Sequence, residues 1–207
     1  MVDLLEDSSC PIAATTDAAD GGDIASNPVL IDPDGDIILV VNNDAMQSQH
    51  SFVVSSKILT LASSVFSKMF SPRFREGTQL LQQSRPVIRL EEDNHEAMET
   101  IPRIIHFQCL DSTALVAPQE LVAISIHSDK YDLNKALQGW IIHWCTTTRP
   151  PKTSQKDWGL LLLAAYMFRV PNFSKSACEA RNVLTSGFAS HWQSTSILPL
   201  FLKPSQV

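Results

Sequence analysis

The sequence predicts an α+β fold, a small β-sheet flanked by a cluster of α-helices. Three observations carry that expectation. Short apolar runs rich in β-branched residues, Ile37 to Val41, Phe52 to Val54 and Val87 to Leu90, stand beside turn residues or polar stretches, as strands do. Ile58, Leu61, Ala62, Val65, Phe66, Met69 and Phe70 recur at spacings of three and four, which lines one face of a helix or helix pair. Further on, longer segments carry helix-start signals at Asp93 and Pro118.

Residues 1–28 are rich in Asp, Ala, Ser and Thr and lack aromatic residues. Such a segment cannot bury enough surface to offset chain entropy, so a disordered acidic tail is expected. Asp32-Pro-Asp-Gly-Asp36 reads as a turn. Its alternating aspartates invite a calcium-loop reading, but the sixth residue is Ile37 rather than Gly and the twelfth is Asn43 rather than Glu. Ile37 to Val41 is uninterrupted and apolar, as in a strand covered on both faces. Asn42-Asn-Asp44 then leads into a second strand ending at Val54, a hairpin.

Residues 55–70 change period to that of two short helices, with Ser55, Ser56, Ser63 and Ser64 placed to cap them. Ser71-Pro72 stops the second. The Gln-rich stretch 77–86, ending in Pro86, is expected to be a mobile loop. Asp93 with Glu96 resembles a capping box opening a helix to about His106. Pro102 inside it predicts a kink or break, since an interior proline costs about 3 kcal/mol or more. Helices are expected over Pro118 to Tyr131 and Leu133 to Cys145, the latter weakened by Gly139. A linker at 146–156 and two further helical segments, 157–168 and 172–187, follow.

Apolar residues make up 44% of the chain and charged residues 18%, the balance of a globular protein. Residues 1–56 hold ten of the 22 acidic residues and no Lys or Arg, so the remainder is net positive by four (16 basic against 12 acidic). The acidity belongs to the front end, and no nucleic-acid footprint is expected. Cys10, Cys109, Cys145 and Cys178 form no Cys-x-x-Cys pair, so reduced thiols in an intracellular compartment, cytoplasm or nucleus, are the expectation. The apolar block Gly159 to Phe168 is about half of the ~20 residues that a membrane span needs.

No nucleophile elbow, dinucleotide fingerprint or phosphate loop occurs. His106 with Cys109, and His143 with Cys145, offer two metal ligands each where a closed site needs four. No enzyme, metal or cofactor is expected.

Several pieces stand in a telling order. They are Asp34-Gly-Asp-Ile-Ile-Leu-Val-Val41, the stretch Phe52 to Phe70, Phe74-Arg-Glu-Gly77, Val87 to Asn94 with Glu96-Ala-Met98, and Glu120-Leu-Val-Ala before Asp129-Lys-Tyr-Asp132. This set resembles the BTB/POZ domain, more narrowly the BTB proteins common in fungi, over roughly residues 34–145. The resemblance implies a BTB/POZ domain at 29–145, a linker at 146–156 and a helical C-terminal extension at 157–207. Pro102 departs from the pattern, which has an apolar residue there.

The resemblance also implies a protein–protein interaction module rather than an enzyme. The family's two-fold homodimer interface uses the helix that corresponds to residues 56–62 and the strand before it, which makes Phe52, Ile58, Leu59 and Leu61 the apolar candidates. The competing reading for each is internal core, favoured more for Ile58 and Leu61 than for Leu59. The family's Ala-His-Lys at this helix start is Ser55-Ser56-Lys57 here. BTB adaptors of cullin ubiquitin ligases carry an apolar residue, any residue, then Glu, matched by Phe74 and Glu76, with an unknown protein as the substrate recruited. The alternative is a scaffold or transcription-linked protein that dimerises through the fold and never meets a cullin.

Overall fold

A computed structural model of the chain describes residues 28–43, 48–108, 115–149 and 154–170. The expected tail up to residue 27, the expected helix at 172–187, and Cys10, Cys109 and Cys178 lie outside the described residues. The described part is a mixed α+β fold. Its strands are β1 (Val29–Leu30), β2 (Ile37–Asn43), β3 (Ser48–Val54) and β4 (Val87–Leu90). Its helices are α1 (Ser56–Ala62), α2 (Ser64–Met69), α3 (Arg75–Gln82), α4 (His95–Ile105), α5 (Pro118–Lys130), α6 (Gln138–Thr147) and α7 (Gln155–Met167).

The sheet runs β1-β3-β2-β4. β2 and β3 form the expected antiparallel hairpin, with Ile37 opposite Val54 and Val41 opposite His50. β4 joins β2 in parallel, and β1 adds a two-residue parallel edge to β3. Ile37, Leu39, Val40 and Val41 are all fully buried, so β2 is covered on both faces. Each such side chain withdrawn from water stabilises the fold by about 1.5–3 kcal/mol.

The turn at Asp32–Asp36 serves the next helix rather than a cation. Gly35 N–H donates to the Asp32 carbonyl at 2.9 Å, and Asp34 N–H to the Asp32 carboxylate at 3.1 Å. Asp36 then accepts from both the backbone N–H and the hydroxyl of Ser56, each at 2.6 Å. An acceptor at a helix start satisfies a donor the helix cannot. The helical hairpin follows as expected. Ser55 Oγ accepts from Ile58 N–H and Ser63 Oγ from Phe66 N–H, capping α1 and α2 in turn.

Several expectations are corrected. Residues 75–82 form α3 instead of a loop. Leu, Gln and Thr make a short amphipathic helix, with Leu80 packed on the core and buried Gly77 pressed against the Ser71 carbonyl. α4 runs through Pro102 unbroken. Met98, Ile101, Pro102, Ile104 and Ile105 are buried along it, and that packing outweighs the lost backbone bond. The cap of α4 is Asn94, whose side chain accepts from Ala97 N–H at 2.9 Å, not Asp93. α6 begins at Gln138, so Gly139 lies in its first turn, and it continues to Thr147, into the expected linker.

Three helices end alike. Phe107, Asp132 and Arg169 have φ of 58°, 52° and 54°, just past α4, α5 and α7. In each case the next residue's N–H reaches back five residues: Gln108 to Arg103, Leu133 to Ser128 and Val170 to Ala165. This is the Schellman motif, where glycine is usual because a side chain strains the left-handed backbone. Two of the three side chains have local partners. Asp132 accepts from Ser64 Oγ at 2.5 Å, and Arg169 pairs with Asp129 at 2.8 Å. Phe107 is 89% exposed.

The helices stack in depth: α4 lies on the sheet, α5 on α4, and α7 on α5. α5 is therefore buried on two sides, through Leu121, Val122, Ile124 and Ser128 among others. α7 contributes Leu160, Leu161, Leu163, Ala164 and Ala165 to the same core. Among the described residues, no helix is long and apolar enough to cross a membrane.

Gly77→Ala tests the α2–α3 junction. An added Cβ would lie 2.0 Å from the Ser71 carbonyl oxygen, which is backbone and cannot swing aside. Urea unfolding should show a loss of at least about 2 kcal/mol.

Candidate functional site

α1 has apolar residues around most of its circumference, so packing decides which of them face outward. Leu59 points into the core, 1% exposed, and Phe52 on β3 is equally buried. Leu61 stands about 200° from Leu59 at 100° per residue, and is 79% exposed. The expected ranking is thus inverted: Leu59 is core, while Leu61 projects and Ile58 is half-buried. Of the four dimer candidates, only Ile58 and Leu61 come together on an accessible face.

That face continues onto the end of α4. Ile58, Leu61, Ala62, Ile104, Ile105, Phe107 and Ala136 line an apolar groove of about 310 Å³. Leu61 and Phe107 are its exposed large side chains, and an aromatic in a strained backbone position with its ring in solvent is a candidate anchor. The sequence reading missed Phe107 and Ala136. The available signal was Ile104-Ile105-His106-Phe107, a helix end followed by no glycine.

The other candidates sit one helix further along. Phe74, 51% exposed, is the residue before α3, and Glu76 lies in its first turn, half-buried. Leu81, also exposed, follows Phe74 by seven residues and so shares its face of the helix. A separate polar cleft is lined by Glu96, Glu99, Thr100, Arg103 and Glu120. Arg103 there already binds Glu99 at 2.7 Å and Gln108 at 2.7 Å.

A buried polar knot lies where the end of α5 meets the start of α4. The Asp93 carboxylate, wholly buried, accepts from Tyr131 OH at 2.5 Å and Lys130 Nζ at 2.7 Å, with His127 Nε2 at 3.1 Å. Burial pushes the Asp93 carboxyl up, but the contacts from His127, Lys130 and Tyr131 outweigh it and hold it below the usual value. Burial and Asp93 together raise the Tyr131 phenol well above its own. The Tyr131 ring stacks on Phe66 at 4.7 Å, and its carbonyl accepts from Ser63 Oγ at 2.5 Å, so the knot ties α2, α5 and the start of α4 together.

No protein-family model matches this chain. Nor does any curated protein match it in sequence. The site is therefore argued from its own geometry. On α6, Cys145 is a buried free thiol, pushed up to about 11 by burial against an opposing effect of Arg149, which suits packing rather than reactivity. His106 and His127 both have ring nitrogens engaged by backbone groups.

Asp93→Asn keeps the size but removes the charge that Lys130 and Tyr131 hold, and should cost roughly 2–3 kcal/mol in denaturant unfolding. Because Asp93 is held below its unfolded value, its contribution is complete above the ordinary carboxylate range and is lost as pH falls through the folded value. The wild-type acid-unfolding limb should therefore flatten in the variant.

Proposed function

We propose that the chain is a non-enzymatic protein–protein interaction module of the BTB/POZ type, which self-associates through the face built by α1 and the end of α4. The single observation that carries this reading is the apolar groove rimmed by Leu61 and Phe107. A soluble chain that leaves two large apolar side chains beside an apolar cleft has a surface to cover, and a patch carrying both knob and hole suits a two-fold contact. The order of elements, a hairpin followed by a helical hairpin, a parallel strand and a helix cluster, supports the BTB reading as an architecture. Fold alone does not assign function, so the argument rests on the face.

A second reading concerns α3. The exposed ring of Phe74, with Leu81 on the same side and Glu76 at the edge, supports a role as a substrate adaptor of a cullin-type ubiquitin ligase. The alternative is a scaffold or transcription-linked protein that dimerises with no cullin contact. Phe74→Ala separates these: an adaptor loses cullin capture and keeps its mass, whereas a scaffold is unaffected in both.

The primary test is mass by light scattering over a dilution series. Wild type should be a dimer that dissociates on dilution, and Leu61→Glu should shift the series to monomer with the unfolding midpoint unchanged, because Leu61 makes few contacts within the monomer. Phe107→Gly should weaken the dimer while leaving stability equal or higher by up to about 1 kcal/mol, since glycine relieves the left-handed backbone. A wild-type monomer at every concentration would overturn the reading.

A further inference from the structure

Two histidines hold the starts of two helices by the same geometry. His106, closing α4, has Nδ1 2.8 Å from the Pro102 carbonyl four residues earlier, and its Nε2 accepts from the Ser55 N–H at 3.0 Å. His127, on α5, has Nδ1 2.7 Å from the Ala123 carbonyl, again four earlier, and its Nε2 accepts from the Asn94 N–H at 2.9 Å. Ser55 and Asn94 are the capping residues of α1 and α4. A carbonyl beside Nδ1 fixes the proton there, and a backbone N–H facing Nε2 requires a lone pair on it. At His106 the two contacts therefore require the neutral, Nδ1-protonated ring, whereas His127 Nε2 also lies 3.1 Å from the Asp93 carboxylate.

We infer that His106 is a proton-released pin, which fixes the α1–α4 face when neutral and loosens it when protonated. A proton on His106 Nε2 would set one donor against another at Ser55, so the contact is lost outright. His106 follows Ile104 and Ile105 and precedes Phe107, so its release disturbs the groove directly.

The surroundings agree. Burial lowers the His106 pKa, against the raising effects of the Pro102 carbonyl and of Asp32, which faces it from the turn before β2. On α1 the charged residue is Lys57, exposed, and on α4 itself Arg103 is occupied by Glu99 and Gln108. Asp36, at the same helix start, is held by the Ser56 N–H and hydroxyl at 2.6 Å each. For His106 the sign follows from the lowered value. Its contribution is complete above the unfolded histidine value and is lost as pH falls through the folded one.

The test uses the full chain. Long-range imidazole nitrogen spectra at about pH 7.5 should show His106 neutral with the proton on Nδ1. Amide-exchange protection at Ser55, corrected for intrinsic rate, should fall by up to about tenfold per pH unit below the ordinary histidine value of about 6.5, while β2 amides hold. His106→Gln keeps an acceptor that does not titrate, and should flatten the fall at Ser55. An Nε2-protonated His106, or protection at Ser55 that is independent of pH, overturns the inference; the wild-type spectra decide it even if the variant does not fold. The link to association rests on the proposed dimer: light scattering should show weaker self-association at about pH 5.5 than at 7.5. A chain that is monomeric throughout but shows the amide response would retain the pin and reject the dimer.

Discussion

The contact on which the described structure depends is the one between Tyr131 and Asp93. It is made at the centre of the helical layers, where the end of α5 meets the start of α4. A buried carboxylate is costly unless it is satisfied, and Asp93 is satisfied by a phenol and an ammonium from adjacent residues at the end of α5. The same tyrosine presents its ring to Phe66 and its carbonyl to Ser63. One residue thus sets the position of α2, α4 and α5 relative to one another. The α1–α4 groove inherits its shape from that arrangement, because α1 is tethered to α2 through Ser63 and to α4 through His106.

The polar contacts share a theme, the satisfaction of helix ends. Asp36 and His106 meet the start of α1, Ser63 that of α2, Asn94 and His127 that of α4, and three Schellman turns close α4, α5 and α7. Short helices gain little from propensity alone and depend on caps and packing. In α1 and α2, of seven and six residues, the local caps Ser55 and Ser63 are joined by contacts from distant parts of the chain, Asp36 and His106 at the start of α1 and the Tyr131 carbonyl at Ser63, which couples local helix formation to the tertiary fold. Phe107 is the exception in this economy of contacts, a strained residue whose ring serves nothing within the monomer's core.

Much of the fold was legible in the sequence. The hairpin, the strand at Val87, the paired helices after Val54 and the helix opening at Pro118 each carry a local signal, either a period or a cap, and each is present. What was not legible was decided by tertiary contacts. Asp93 and Asn94 are both good capping residues, and only the approach of Lys130 and Tyr131 assigns the cap to Asn94. Pro102 reads as a breaker until four apolar neighbours hold its helix together. On α1, the sequence did not show which side chains are buried and which project, because Ile58, Leu59 and Leu61 are apolar in several directions and period alone cannot select among them. The groove's other wall, on residues 104–107 and 136, is remote from α1 in sequence and left no pattern there.

The central claim is that a second copy of this chain covers the α1–α4 groove. Isotope-filtered NOE spectra on an equimolar mixture of labelled and unlabelled protein test it most directly. Contacts between the Leu61 methyls of one copy and the Phe107 ring or Ile104 and Ile105 of the other are the predicted result. Doubled mass without those contacts, or contacts centred on Phe74 and Leu81, would place the interface elsewhere and contradict the account.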